Sequence, residues 1–275
     1  MQETYIIWQN KSSKDFNLMC ESVIVSQPEQ KLKILATSNK DNNYNYSYMN
    51  NRNRPYFENR IITVSSYFKF ENLTDKSNKL SKIMNWLYSY KNNSIIQILP
   101  DYSNVNWVNA KLENVQTVEV VATHTVKVIF QFRVDAFSVD KQEKITTSNS
   151  INFTQGKYNL IYNNIGFYTE NIKLVLKGAC NWTTITNLDN NKVIDIKNGF
   201  SSSCEIDFVN KKILIDEVET VYDIDYFEIA PGVNNFKLES DGNYSIEFRV
   251  YNNYLYSYTK GEQNTIEISL IEGWL

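Results

Sequence analysis

The sequence predicts a mainly β protein of two β-sandwich-like domains, the first with one α-helix packed on its sheet and a long projecting β-hairpin arm. Three observations predict it. Short runs in which apolar and polar residues alternate recur along the chain, Val126–Val134 and Ser245–Val250 being the cleanest, and a period of two belongs to strands with one face buried. Only one segment repeats at the helical spacing. Aromatic residues make up 14% of the chain, mainly 19 Tyr and 14 Phe, and these types suit pleated, half-buried surfaces.

Tyr5-Ile6-Ile7-Trp8 reads as a short strand and Asn10 to Asp15 as a polar turn. Phe16-Asn17-Leu18-Met19 and Glu21-Ser22-Val23-Ile24-Val25 read as the returning strand. From about 27 to 56 the pattern changes. Lys31-Leu32-Lys33-Ile34-Leu35 and Tyr44-Asn45-Tyr46-Ser47-Tyr48 each alternate, on either side of the polar tip Asn39–Asn43, which is the signature of a long hairpin. Neither limb has enough apolar residues to bury both faces. An isolated two-stranded hairpin is marginally stable, so this arm is expected to project and to dock on a neighbouring chain.

An extended apolar run, Asn59 to Phe70, leads into the helix, expected from Thr74 to about Tyr90. Leu80, Ile83, Met84 and Leu87 fall at i, i+3, i+4 and i+7 and make one stripe, flanked by Trp86 and Tyr88. Thr74 or Asp75 supplies the N-cap oxygen, and no Glu or Gln stands three residues later to complete a capping box. A single striped helix among strands needs a sheet to cover its apolar face. Ile95–Leu99 then reads as a buried strand stopped by Pro100-Asp101, Trp107–Leu112 and Val115–Val120 as the next pair, and Val126–Val134 as the strand that closes the sheet. Charge and Ser/Thr gather from Asp140 to Ser150, the place where a domain boundary is expected, so the domains are read as 1–140 and 141–275.

The second half shows strands and no helical stripe. Lys173–Lys177, Trp182–Leu188, Val193–Ile196, Glu205–Val209, Ile213–Asp216, Tyr226–Ile229 and Ser245–Val250 are its strand readings. At Ala230-Pro231-Gly232-Val233, Pro fixes φ and Gly supplies φ > 0, as a type II turn requires. Short strands at such spacing indicate a β-sandwich.

The 275 residues suffice for one large or two ordinary domains, and 42% hydrophobic content for real cores. The net charge of −3 is unevenly spread: residues 1–140 carry 16 Lys+Arg against 13 Asp+Glu, and residues 141–275 carry 12 against 18. That asymmetry points to two units with different surfaces, yet it is too weak for a nucleic-acid-binding face. Cys20, Cys180 and Cys204 form no CxxC and read as buried or free thiols rather than a Cys180–Cys204 disulfide. Met1-Gln2-Glu3-Thr4 does not start a signal peptide, and no apolar run nears the roughly 18 residues of a membrane span. Synthesis and assembly in a cytoplasm, without membrane insertion, are therefore expected.

Catalytic constellations are scarce. His124 is the one histidine, in a Thr-His-Thr setting of an ordinary turn or strand, and a zinc site lacks its ligand spacing. No G-x-S-x-G, G-x-G-x-x-G or Walker loop occurs. Asp216-Glu217-Val218-Glu219 with Asp223 and Asp225 is the one cluster that invites a cation or a glycosidase pair. Asp189 to Asp195 lacks the Gly of an EF-hand loop, and alternating Asp on strands is the usual solvated face. No catalytic, cofactor-binding or metal residue is assigned, and no cofactor is expected. Tyr and Trp that stack on sugars remain the basis of a lectin-like alternative.

Taken in order, these elements resemble the distal tail protein (Dit) family of long-tailed bacteriophages of Gram-positive hosts. The first-half match covers about residues 4–139. It comprises the hairpin Tyr5 to Met19, the arm, Glu58-Asn59-Arg60-Ile61-Ile62, the helix end Lys82–Leu87, Ile98-Leu99-Pro100-Asp101, Trp107–Leu112 and Val128–Phe132. The second half resembles the family's galectin-like sandwich at Asn163-Asn164-Ile165-Gly166, Glu205–Lys212 and Ala230–Asn235. Two departures stand out: the arm is long and Asn/Tyr-rich, and Ser257 to Leu275 runs past the expected end of the sandwich. No inserted carbohydrate-binding module interrupts either half.

The resemblance implies a non-enzymatic structural hub at the virion tail tip, a homo-hexameric ring made by the N-terminal domains with the arms as a belt. The ring joins the tail tube protein to the tail-tip hub protein and receptor-binding proteins, and DNA passes through its channel without specific binding. A closed ring is a head-to-tail assembly. Tyr44, Tyr46, Tyr48, Arg52, Arg54 and Tyr56 of the arm have the Tyr/Arg composition that such interfaces favour and are the expected subunit-contact residues. The alternative is a lectin-like host-adsorption protein; a β-sandwich glycosidase is the enzymatic one.

Overall fold

The computed structural model describes residues 3–30, 34–35, 44–45, 57–89, 94–120, 124–169, 172–221, 226–227, 229–255 and 263–273. The chain divides into two compact units, Met1–Val139 with Leu255–Ser257, and Asp140–Tyr254 with Tyr258–Leu275. Both are built of antiparallel strands, and among the described residues there is a single α-helix.

The first unit runs β1 (Tyr5–Trp8), β2 (Lys11–Ser12), a 3-10 turn (Ser13–Phe16), β3 (Met19–Val25), β4 (Ile34–Leu35), β5 (Tyr44–Asn45), β6 (Arg60–Lys69), α1 (Leu73–Leu87), β7 (Ile96–Leu99), β8 (Val105–Trp107), β9 (Lys111–Val120) and β10 (Thr125–Val134). β11 (Ser138–Asp140) follows. One sheet runs β2-β1-β7-β8, and a four-stranded sheet runs β3-β6-β10-β9. Alternation decides which side chains meet. β6 and β10 pair from Arg60↔Val134 to Lys69↔Thr125, which sets Ile62 beside Phe132, Val64 beside Phe130 and Phe68 beside Val126 on the buried face. Ile6 and Trp8 of β1 lie opposite Ile98 and Ile96 of β7, all four fully buried. Burial of each such side chain contributes about 1.5–3 kcal/mol.

The helix closes this core. Ile83, Trp86 and Leu87 are buried at i, i+3 and i+4, Leu80 packs partly, and Met84 is only half-buried. The stripe is therefore turned toward Trp86, which the sequence placed at its flank. The reason is a reciprocal indole contact: Trp86 Nε1 donates to the Trp8 carbonyl at 2.9 Å and Trp8 Nε1 to the Leu87 carbonyl at 3.3 Å. Trp86 also stacks on Phe16 at 4.6 Å and meets the edge of Phe130 at 6.4 Å.

Several expectations for this unit need correction. The N-cap is Asn72, not Thr74 or Asp75: its extended backbone ends the loop and its Oδ1 accepts from Asp75 N at 2.9 Å. The helix ends at Leu87 because Tyr88 leaves helical geometry at ψ 1° while its N–H still donates to the Met84 carbonyl. Phe16 closes a 3-10 turn rather than opening a strand. Ser12 and Asp15 form its capping box, and Asn17 takes a left-handed conformation at its end. The expected pair Trp107–Leu112 and Val115–Val120 is instead β8 and one continuous ten-residue β9. A register shift against Gln131/Phe132 leaves Glu113 as the extra residue, so the polar Glu113-Asn114 dipeptide is a bulge and not a turn.

The second unit runs β12 (Lys144–Thr147), β13 (Ile151–Asn152), β14 (Gly156–Asn164), β15 (Tyr168–Thr169), β16 (Lys173–Ala179), β17 (Thr183–Asn187), β18 (Lys192–Ile196), β19 (Ser203–Asp207), β20 (Lys212–Ile215), β21 (Val218–Thr220), β22 (Gly232–Ser240), β23 (Asn243–Val250), β24 (Asn252–Tyr254) and β25 (Thr265–Gly273). One sheet runs β12-β23-β16-β19-β20-β21, with β13 also on β23, and the other runs β18-β17-β22-β14-β25. The core between them is aromatic: Tyr162 stacks on Phe248 at 4.3 Å and Phe153 on Tyr244 at 4.6 Å. Gly232 has φ 76°, as the turn reading of Pro231-Gly232 requires, and the Asn234 side chain ties that turn through the Ala230 N–H and carbonyl.

Here too the strand readings are incomplete. The stretch Asp140–Ser150, where the domain boundary is expected, contains β12, which pairs with β23 from Lys144↔Val250 to Thr147↔Glu247. Ser257–Leu275, read as an extension, contains β25, which pairs with β14 along its length and packs Ile266 and Ile268 on the core. Tyr226, Phe227 and Ile229 lie outside any strand although Phe227 and Ile229 are buried; they fill the core from a loop.

Candidate subunit-contact site at the arm and its root

Of the six arm residues expected at a subunit contact, Tyr44 lies in β5, whose backbone pairs antiparallel with β4 through Ile34↔Asn45 and Leu35↔Tyr44. Tyr46, Tyr48, Arg52, Arg54 and Tyr56 lie outside the described residues. What the described residues define is the stretch on either side of this segment, Ser26–Gln30 and Phe57–Ile61.

At the root the limbs form a short ladder. Ser26 N donates to the Ile61 carbonyl at 2.8 Å and its Oγ accepts from Ile61 N at 2.9 Å. Glu58 N donates to the Glu29 carbonyl at 2.8 Å, and Gln30 bridges Phe57. Phe57 meets the edge of Phe137 at 5.7 Å. Under the ladder lies Arg60, only 6% exposed and occupying the core-facing position opposite Val134 where the pattern calls for an apolar side chain. Its Nε donates to the Ser26 carbonyl at 2.7 Å and one terminal nitrogen to the Leu255 carbonyl at 2.8 Å. The guanidinium lies over the Trp107 ring, 4.8 Å from its centre. Sequence reasoning passed over Arg60. Its signal was a charged residue at the first core position of a cleanly alternating strand.

Beside the root, among the described residues, the four-stranded sheet ends on β3 and β9. Met19, Ile24 and Val118 on these edge strands are exposed, at 39%, 63% and 43%. An open cleft of about 420 Å³ is lined by Asn59, Lys111, Leu112 and the pairs Arg133–Glu113 and Asn109–Asp135. Its polar groups largely satisfy one another, which is not the apolar, convergent lining of a small-molecule site.

The residues considered for chemistry land elsewhere. His124 is exposed at φ 50° in the turn before β10, its carbonyl accepting from Phe70 N. Asp216 and Glu217, at φ 48° and 69°, form the two-residue turn of the β20–β21 hairpin, the conformation of a type I′ turn. The Asp216 carboxylate accepts from the N–H groups of Ser203, Ser201 and Ser202 and from the Ser201 and Ser202 hydroxyls. These bonds, those of Ser203 and Ser201 first, hold it far below the usual carboxylate range, so it fastens a loop and has no proton to give. Glu219 pairs with Lys212 at 3.0 Å. Asp189 accepts from Asn235 and Asp195 from Thr184. Asp223 and Asp225 lie outside the described residues. Among the described residues no three His, Cys, Asp or Glu converge as metal ligands.

The three thiols are free. Cys180 lies opposite Phe200 and Cys204 opposite Leu176, so the two are not cross-strand partners. Burial pushes the Cys204 thiol up to about 12, far from the range of a reactive thiolate.

The solvent faces of the second unit bear on sugar binding. On the β12–β21 sheet Lys177 and Arg249 bond Glu247, and Lys173 bonds Glu205 at 2.8 Å. On the other sheet Lys157 and Lys237 bond Glu239 at 3.1 Å each. The aromatic residues of these strands whose side chains are described, Tyr158, Tyr162, Phe236, Tyr244 and Phe248, all face the core. Among the described strand residues, neither sheet presents an aromatic ring on its solvent face.

No protein-family model matches the chain, and no curated protein matches it. Among solved structures it is similar to the Dit protein (gp 19.1) of phage SPP1, described as a paradigm of the hub adsorption apparatus in Gram-positive infecting phages. The TM-score is 0.63 at 12% identity over 91% of this chain and 99% of that one. Chains of the phage P2 baseplate in its activated conformation, with Ca and with Sr, match at TM-scores of 0.39, with 11% and 10% identity over 92% and 91% of this chain and 98% and 97% of theirs. The likeness to the SPP1 protein spans nearly the whole of both chains, and it shows that this chain has the fold of a phage distal tail protein.

Proposed function

We propose that this protein is a structural hub of a phage tail tip and has no enzymatic role. The observation that carries the proposal is the fold it shares with the SPP1 hub protein over almost the full length of both chains. In this reading six copies close into a ring formed by the N-terminal units, joining the tail tube to the tip and receptor-binding proteins and leaving a channel through which DNA passes unbound. Two features support a ring. Among the described residues the four-stranded sheet ends on two different strands, β3 and the ten-residue β9, and head-to-tail closure needs two different surfaces on each subunit. The two alternating runs of the sequence at 31–35 and 44–48, whose backbones pair as β4 with β5, fit a hairpin, and pairing on a neighbour is what stabilises such an element.

The second unit supports a load-bearing role better than a lectin-like one, because ion pairs occupy its solvent faces and its rings face inward. Negative-stain images of the purified protein test the proposal: six-fold rings are expected. Solitary particles, together with glycan binding or sugar hydrolysis by the whole chain, would replace it with the lectin or glycosidase reading.

A further inference from the structure

We propose that Asn198 is a site of spontaneous covalent modification, at which the folded chain converts itself through a cyclic imide to aspartate and isoaspartate. The inference stands on the second unit alone and does not depend on the ring. Asn198-Gly199 and Asp241-Gly242 are the two places in the sequence where an Asn or Asp precedes Gly. At such a step the backbone N–H of the Gly meets the side-chain carbonyl carbon before it with no Cβ in the way, and Gly takes up backbone conformations that other residues resist. The fold treats the two steps differently. The Asp241 carboxylate is fastened: Oδ1 accepts from Asn181 N at 2.8 Å and Trp182 N at 3.2 Å, and Oδ2 from Asn181 Nδ2 at 2.9 Å. Burial raises its pKa, but these bonds outweigh burial and hold it below the ordinary 3.8, so it stays ionised and a poor electrophile. Gly242 N is engaged as well, donating to Ser240 Oγ at 3.4 Å.

Asn198 is exposed in the turn after β18, and among the described residues neither its amide nor the Gly199 N–H makes a hydrogen bond. Position 199 has to be Gly: its φ is 58°, and a Cβ there would stand 2.0 Å from the Cys180 carbonyl oxygen and 2.6 Å from the Asn181 carbonyl carbon. No bond requires Asn at 198. The step balances within the chain and water. Gly199 N bonds Asn198 Cγ, the Cγ–Nδ2 bond breaks, and Nδ2 leaves as ammonia with the proton that Gly199 N gives up. Water then opens the ring. Opening at Cγ leaves aspartate, and opening at the α-carbonyl leaves isoaspartate, whose main chain is one carbon longer. That extra carbon falls beside the bridge at which Cys180 and Phe200 exchange both backbone hydrogen bonds at 3.0 Å, where the Cys180 carbonyl leaves no room for it. Conversion therefore loosens the bridge and uncovers the half-buried Cys180 thiol.

The experiment ages the full-length protein and its Asn198→Gln variant in neutral buffer, with the denatured chain aged alongside, and maps their peptides by mass spectrometry. Gln has to close a larger ring, so N198Q keeps an exposed amide at 198 and blocks the step. In the folded protein the Asn198 amide is expected to be lost ahead of every other, including that of the exposed Asn149 before Ser150, with isoaspartate among the products, while Asp241 keeps its normal linkage. Labelling of Cys180 by a thiol reagent should quicken with age in the unmodified protein and stay constant in N198Q. Loss at Asn198 no faster than at Asn149, or confined to the denatured chain, would overturn the site. Isomerisation of Asp241 at the same rate would overturn the contrast on which it rests. Equal labelling of Cys180 in the aged protein and in aged N198Q would overturn the consequence for the bridge.

Discussion

In the second unit two sheets cover each other and the loops are fastened by the unit's own carboxylates. Asp216 holds Ser201–Ser203, Asp241 holds Asn181 and Trp182, and Asp207 holds Val209 and Asn210. In the first unit two sheets share a core that one helix closes, Trp8 of one sheet meeting Phe132 of the other at 4.7 Å, and the strand ends beside residues 31–56 are fastened by a cation, Arg60, reaching backbone carbonyls. Among the described residues the first unit has one carboxylate with a lowered pKa, the surface Asp75, bonded first to Lys79 and then to Glu71 N. The comparison teaches that the second unit fastens its turns with carboxylates that accept backbone N–H groups, whereas the first fastens the strand ends beside residues 31–56 with a guanidinium that donates to carbonyls.

The strongest way to break that contrast is to remove the arm. Deleting residues 38–54 is expected to turn rings into folded monomers, seen by size-exclusion chromatography with light scattering, while the melting of the second unit stays put. An intact hexamer from the deletion would mean that edges, not arms, hold the ring. Next in size is Trp86→Ala. It empties the contact among Trp8, Phe16 and Phe130 and leaves the Trp8 carbonyl without its indole donor, so a loss of about 3–5 kcal/mol confined to the first unit is expected in denaturant unfolding.

Acid should separate the units in the other direction. At Glu247 burial pushes the pKa up, but hydrogen bonds from Lys177 and Arg249 outweigh it and hold the group below its ordinary 4.5. At Asp207 the backbone and side-chain N–H groups of Asn210 outweigh burial in the same way, below an ordinary 3.8. A lowered folded pKa contributes stability that is complete above the ordinary value and disappears as pH falls through the folded one. Asp140 works in the opposite sense, since burial raises it despite the bond from Asn252 N; its contribution improves with protonation. With more groups lowered than raised, the second unit is expected to lose stability below about pH 4.5, ahead of the first, in thermal melts at stepped pH. The smallest effect is at the helix cap: Asn72→Ala should cost about 1 kcal/mol, measured on the first unit.

How far the fold was readable depended on whether period and composition agreed. Val126–Val134 and Ser245–Val250 were legible because one face of each is continuously buried. β14 was not, although Tyr158, Leu160 and Tyr162 point inward in perfect alternation, because Asn159, Asn163 and Asn164 disguise it as loop. Asn164 is in fact buried, its Nδ2 donating to the Ala230 and Gly166 carbonyls; local hydrogen bonding of that kind has no apolar signature. β25 was hidden by its place after an apparent domain end. Ser12 with Asp15 three residues on is the sequence signal of the 3-10 turn, which reading Phe16 to Met19 as strand passed over. At the candidate site the alternation read at Lys31–Leu35 and Tyr44–Tyr48 meets the structure only in the backbone pairing of β4 with β5, and Arg60 was not legible, since a core Arg whose N–H groups reach the carbonyls of residues 26 and 255 is a product of tertiary structure.

The central claim, that the chain is built to be completed by copies of itself, is tested most directly by the native mass of the purified full-length protein across a wide concentration range. Six times the chain mass, persisting on dilution until a single cooperative dissociation, is the predicted result. One chain mass at the highest concentration reached, with both units folded, would contradict it.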